Sequence, residues 1–187
     1  VPWDVVDEVQ IVSDGFAPEY SQTIGGLLNV TTKSGSNLFS GETGLTYGSD
    51  RLAANSRSTF IASPSGFSDT SAWLHVSGPI LRDRVWYFVS VNRPMTTNEY
   101  RPVDLAGYGT LAAGKIDARG WTYFGKITWT PGPRQNLAVS FTRQNLDTSG
   151  LNADTAAPEA RMTETTLNER LRLDYKLILG SNALRLY

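Results

Sequence analysis

The sequence predicts an all-β protein: an antiparallel transmembrane β-barrel segment, partial and not closed, behind a small globular unit. Three observations carry that prediction. The stretch WTYFGKITWT (121–130) alternates side chains strictly and carries a tryptophan near each end. The connections between candidate strands alternate long and short along the chain, as in barrels with short periplasmic turns and longer extracellular loops. Composition leans the same way: charged residues are 19%, under the roughly 25% of average soluble domains. Glycine (17), tyrosine (8), tryptophan (5) and phenylalanine (7) are plentiful, which favours sheet over helix.

The first 37 residues form the separate unit. VDEVQIVS (6–13) and GLLNVTTK (26–33) are short, apolar and strand-like, and DGFAPEYSQTIGG between them is rich in turn residues. Longer strands are predicted near 38–47, 72–79, 84–93, 121–130, 136–144 and 163–179, with a further one starting at Asn182 and cut off at Tyr187. In 121–130, Trp121, Tyr123, Gly125, Ile127 and Trp129 share one face; Thr122, Phe124, Lys126 and Thr128 share the other. The turn Pro131-Gly132-Pro133 leads into Leu137, Val139 and Phe141 on one side, and Ala138, Ser140, Thr142 and Gln144 on the other. Further on, Leu171, Leu173, Tyr175, Leu177 and Leu179 oppose Arg170, Arg172, Asp174 and Lys176. Period two separates leucines from charges there, so an amphipathic helix does not fit. The gaps read long (48–71), short (80–83), long (94–120), short (131–135), long (147–162), short (180–181).

Trp121 and Trp129 are eight residues apart. That separation is about 26 Å along a strand at ~3.3 Å per residue. A tilt of about 40° reduces it to roughly 20 Å, near the ~25 Å apolar band that aromatic girdles bound. Each ring is expected at a membrane interface, its N–H towards water. Arginine or lysine facing lipid at mid-membrane costs about 2–4 kcal/mol. Lys126, Gln144, Arg170, Arg172, Asp174 and Lys176 are therefore expected to face the lumen and hold what sits inside the barrel.

DEVQIVSDGFAPEYSQTIGGLLNVTTKSGSN (7–37) resembles the end of the plug domain and the entry to the barrel in TonB-dependent outer-membrane receptors, especially the large Oar-like branch. SGPILRDRVWYFVSVN (77–92) resembles that branch's next hairpin, with Gly-Pro, a basic turn and an aromatic-rich strand in succession. The string Gly25-Gly26 through Asn29, then Thr32-Lys33-Ser34-Gly35, is its most specific part. The resemblance implies the end of a plug at 1–37 and the first part of a barrel at 38–187. It also implies an outer-membrane receptor that imports a bulky nutrient ligand, surrounded by outer-membrane lipid and driven by TonB through a segment these residues do not contain. The stretch departs from the pattern after Glu19-Tyr20, where Ser-Gln-Thr stands in place of a more usual Gly or Arg. Six full strands and a seventh cut short cannot close a plugged lumen of about 22 strands. An internal piece of a longer protein is the expectation, one that aggregates or folds only in part when isolated.

Other chemistries find little footing. With Lys+Arg 17 against Asp+Glu 18 and no basic block, no nucleic-acid footprint is present. There is no cysteine, and His75 is the one histidine, so no transition-metal site is expected. His75 is expected to face the lumen or take a hydrogen bond. GYGTLAAGK (107–115) lacks the Gly-Lys-Ser/Thr ending of a phosphate loop and reads as an extracellular loop. Asp147, Asp154 and Glu159 lack EF-hand spacing and read as solvated loop acids. No Ser-His-Asp or paired-carboxylate arrangement supports an enzyme, and no cofactor is expected. Two alternatives stay open: a small eight-stranded barrel with a structural or adhesive role, and a soluble sandwich binding carbohydrate through Trp73, Trp86, Trp121 and Trp129.

Overall fold

A computed structural model describes residues 3–12, 27–53, 65–104, 109–152, 158–179 and 182–186. The fold is all-β, antiparallel and open. A 3-10 turn, Trp3–Val5, leads into β1 (Val6–Val12), which pairs with β2 (Leu27–Thr32) as a two-stranded sheet. The remaining long strands are β3 (Ser40–Ser49), β4 (Gly66–Leu81), β5 (Val85–Tyr100), β8 (Gly114–Gly132), β9 (Gln135–Leu151), β10 (Met162–Leu179) and β11 (Asn182–Leu186). They form one seven-stranded sheet in the order β11-β10-β9-β8-β5-β4-β3. Each strand pairs with the one before it; only a small hairpin, β6 (Val103–Asp104) with β7 (Thr110–Leu111), stands between β5 and β8. Among the described residues β3 and β11 are paired on one side only, so the sheet has two open edges there.

The strands are longer than the alternation predicts. β4 and β5 have 16 residues each, β9 17, β10 18 and β8 19. At about 3.3 Å per residue and a tilt of about 40° that is roughly 40–45 Å of height, against the 9–11 residues a bilayer needs. Most of the added length lies at the long-connection end. The gap expected at 94–120 therefore holds the end of β5, the β6–β7 hairpin and the first turn-free stretch of β8. Thr110 and Leu111 of the expected GYGTLAAGK loop are strand residues, and so is Asp147, whose carboxylate accepts a bond from Thr165 Oγ1 at 2.8 Å. Arg161 Nη2 donates to the carbonyls of Ala112 and Ala113 (3.1 and 2.7 Å), tying two of the long connections together.

The two faces of the sheet differ throughout. The inner face is the one on which residues 3–12 and 27–33 rest: Val5, Phe88 and Phe124 form the buried cluster there, Val5 being wholly inaccessible. The outer face displays Leu45, Leu74, Val76, Val89, Tyr123, Ile127, Val139, Phe141, Leu171 and Leu173, the last two 72% and 50% exposed. Among the described residues no helix is long and apolar enough to cross a membrane, a statement silent on strands.

Candidate functional site

The inner wall is built by register. Glu42, His75, Ser90, Phe124 and Thr142 stand side by side across β3, β4, β5, β8 and β9, and Gly44, Trp73, Asn92, Thr122 and Gln144 form the next row. Asp4, in the 3-10 turn before β1, inserts its carboxylate into the first row. Its Oδ2 accepts from His75 Nε2 (2.9 Å) and Ser90 Oγ (3.0 Å), and its Oδ1 accepts from Asn92 Nδ2 (2.8 Å). Asn92 in turn accepts from Ser71 Oγ at 2.8 Å. All four groups are nearly sealed from solvent, with Ser90 only 1% exposed. Burial pushes the Asp4 carboxyl up, but the bonds from His75, Asn92 and Ser90 outweigh it and hold it below its ordinary value. A buried carboxylate is tolerable here because every partner donates to it.

Ser90 and His75 both donate to the same carboxylate, so His75 is not aimed at the Ser90 hydroxyl as the base of a Ser-His-Asp triad is. The other imidazole nitrogen, Nδ1, is buried without a hydrogen-bond partner and lies 3.7 Å from Glu42 Oε2. Glu42 also meets Lys33 Nζ at 3.6 Å, so Asp4 and Lys33, at the two ends of the β1–β2 unit, reach neighbouring groups on the wall. Trp73 stacks on His75 (4.4 Å between centroids, 22° between planes), and its ring covers Gly44, where a Cβ would overlap it.

Past the wall, the chain returns through residues 33–39 to start β3. Gly35 crosses so close that a Cβ there would collide with the carbonyl oxygen of Tyr87. Asn37 then clamps the β4–β5 turn. Its Oδ1 accepts from the Asp83 amide (2.9 Å) and Trp86 Nε1 (2.7 Å), and its Nδ2 donates to Asp83 Oδ1 (2.5 Å). Asp83 sits at φ 63°, the left-handed geometry of a tight turn that Asp tolerates.

Of the residues singled out from sequence, Asn29, Thr32 and Lys126 meet in one cleft of about 520 Å³ between β2 and the inner wall of β8–β10, lined also by Arg170, Arg172, Asp174 and Lys176. Lys126 Nζ crosses to Thr32, donating to its carbonyl (2.9 Å) and to its Oγ1 (3.2 Å). Arg172 donates twice to Asp174 within its own strand (2.7 and 2.9 Å). Gln144 belongs to a different cleft of about 690 Å³, with Trp3, Asp4, Lys33, Trp73, Asn92 and Thr122. Gly25 and Gly26 lie outside the described residues, as does Asp154. Trp121 and Trp129 stand on the outer face, 36% and 45% exposed. Trp73 lines the inner cleft and Trp86 binds Asn37. The four tryptophans are thus divided between two faces and make no common platform for a sugar, which corrects that alternative.

Sequence reading missed Asp4, Ser90, Asn92 and Asn37. The only available signal was the concentration of polar residues at inward positions of a strand otherwise rich in aromatics: Ser90 and Asn92 in VWYFVSVN.

No family model matches the chain, and no solved structure matches it. Among curated proteins it is similar to the TonB-dependent transporter Oar of Myxococcus xanthus, 25% identical over 186 residues. The match covers 84% of this chain and 17% of that protein, so the chain spans about a sixth of its relative's length.

Proposed function

We propose that residues 1–37 are the end of a plug domain and residues 38–187 the first strands of a transmembrane barrel in a TonB-dependent receptor of the bacterial outer membrane. The similarity to a transporter supports a transport role in general. One observation carries the finer reading: the same strands present a charge-free outer belt between Trp129 and Gly125 and a polar inner wall to which residues 3–12 and 27–33 are hydrogen-bonded. Lipid needs no directed partner, whereas a docked plug does.

On this reading Trp121 and Trp129 mark the two membrane interfaces. Lys126, Gln144, Arg170, Arg172, Asp174 and Lys176 face the lumen, and the Gly25-Gly26 to Gly35 string carries the chain from plug to barrel. A bulky nutrient passes along the inner wall once the plug yields, with TonB supplying the work through a segment outside these residues. The test is the intact mass of the native polypeptide in the outer-membrane fraction of its source. A mass several times 20.5 kDa supports the receptor; one near 20.5 kDa sinks it.

A further inference from the structure

Outward-facing arginines cluster at one height of the wall. Arg93 of β5 lies over the Trp121 ring, its guanidinium carbon 4.8 Å from the ring centroid. Tyr123 stacks beside Trp121 (6.2 Å, 13°) and is the cross-strand neighbour of Arg143 on β9, while Arg119 follows two residues before Trp121 on β8. All three arginines are exposed. β5, β8 and β9 are each paired on both sides, so this patch is complete within the chain.

Below it, from Gly125 to Trp129, the outer positions of β8 and their neighbours carry no charge: Val85, Tyr87 and Val89 on β5, and Leu137, Val139 and Phe141 on β9. The arginines therefore begin where the apolar belt stops, at the long-connection end. Three carboxylates share the patch, Asp117 standing two residues before Arg119 on the same face and pairing with Lys115 at 3.2 Å. Glu169 pairs with Arg143 at 3.4 Å, and Asp147, opposite Arg119, accepts from Thr165. Asp117 is taken up by Lys115 and Thr97, and Arg93 meets a tryptophan instead of a carboxylate.

We infer that Arg93, Arg119 and Arg143, around the Trp121–Tyr123 pair, form a docking site for the phosphate headgroup of an outer-leaflet lipid. The inference rests on the membrane-wall reading above. Guanidinium recognises phosphate with paired N–H donors, and at the edge of an apolar belt headgroup phosphates are the anions at hand. The parallel aromatic rings give a ledge for the lipid's sugar or glycerol portion, with acyl chains continuing down the belt.

The experiment uses the full-length parent, extracted in mild detergent, stripped of lipid, and titrated in native mass spectrometry. The probes are a bisphosphorylated lipid A and the same lipid with its phosphates removed. Wild type is expected to bind the phosphorylated form at least about tenfold more tightly, the equivalent of one charge-assisted hydrogen bond. R93Q/R119Q/R143Q loses that preference, R93Q alone loses part of it, and R134Q, in a turn at the opposite end, keeps it. A triple variant with unchanged preference, or a wild type with none, overturns the site. Heat-modifiable gel mobility, run in parallel, separates the two claims: a folded barrel without lipid preference rejects the site alone, and a wild type with no folded band rejects the membrane wall with it.

Discussion

The inner and outer faces of one sheet are made from alternate residues of the same strands, yet they are stabilised differently. On β8, Trp121, Tyr123, Ile127 and Trp129 point out and hold no hydrogen-bonded partner across the belt, while Thr122, Phe124 and Lys126 point in against the N-terminal unit. On β5 the contrast is sharper: Val89 is exposed, and its neighbour Ser90 is sealed under the Asp4 carboxylate. The outer face tolerates substitution by anything apolar; the inner face depends on particular atoms at particular distances. Area governs one and directed bonds govern the other.

The largest expected effect inverts the faces. On the receptor reading proposed above, Leu173→Arg places a charge on the apolar belt and lowers stability in vesicles by about 2–4 kcal/mol, read by urea titration. Arg172→Leu, one residue away and pointing inward, spares insertion; the opposite ranking would mean the faces are exchanged. Next, Asp4→Ala strands the donors of His75, Ser90 and Asn92 and weakens docking of the N-terminal unit by about 1.5–3 kcal/mol. Amide exchange of residues 3–12 and 27–33 should quicken while the long strands keep their protection; unchanged exchange rejects the clamp. Gly35→Ala, forced against the Tyr87 carbonyl, should cost about 1–3 kcal/mol, whereas Gly41→Ala, with its nearest neighbour at 3.8 Å, should be close to neutral in the same titration.

Acid gives the finest discrimination. Because the docked Asp4 carboxyl lies below its ordinary value, its contribution is fully present above the free-carboxyl pKa of about 3.9 and fades as pH falls through the docked value. Exchange of the N-terminal unit should therefore accelerate in that acid window, and Asp4→Asn should remove this step. A step that persists in Asp4→Asn assigns it to another carboxylate.

Strand faces were legible from sequence because alternation across the belt sets apolar against polar at every position. Strand ends were not. Beyond Trp121 the outer face turns polar as well, with Thr97 donating to Asp117 at 2.6 Å, and the contrast that betrays a strand disappears. Pro94 follows the strand predicted near 84–93, where a proline argues for a strand's end. It falls in the gap between the pairs Asn92↔Thr122 and Met95↔Arg119, which keep one register, and there the Trp121 amide donates to Asn145 Oδ1 (3.0 Å), so β5 continues past it. Asp4 was hidden by distance along the chain. It lies 71 residues from His75 and 88 from Asn92, and no local pattern connects them.

That same separation sets an order of assembly. The β4–β5 hairpin closes through three residues, 82–84, whereas Asp4 must close loops of 71 to 88 residues to reach His75 and Asn92. The longer closure costs about 3 kcal/mol more in chain entropy, and its donors are in place only after β4 and β5 have paired. The clamp is thus a late event in folding, made by a finished wall capturing an incoming segment. A contact formed last, on a surface that exists without it, is also one the protein can undo first, leaving the hairpins that built the wall intact.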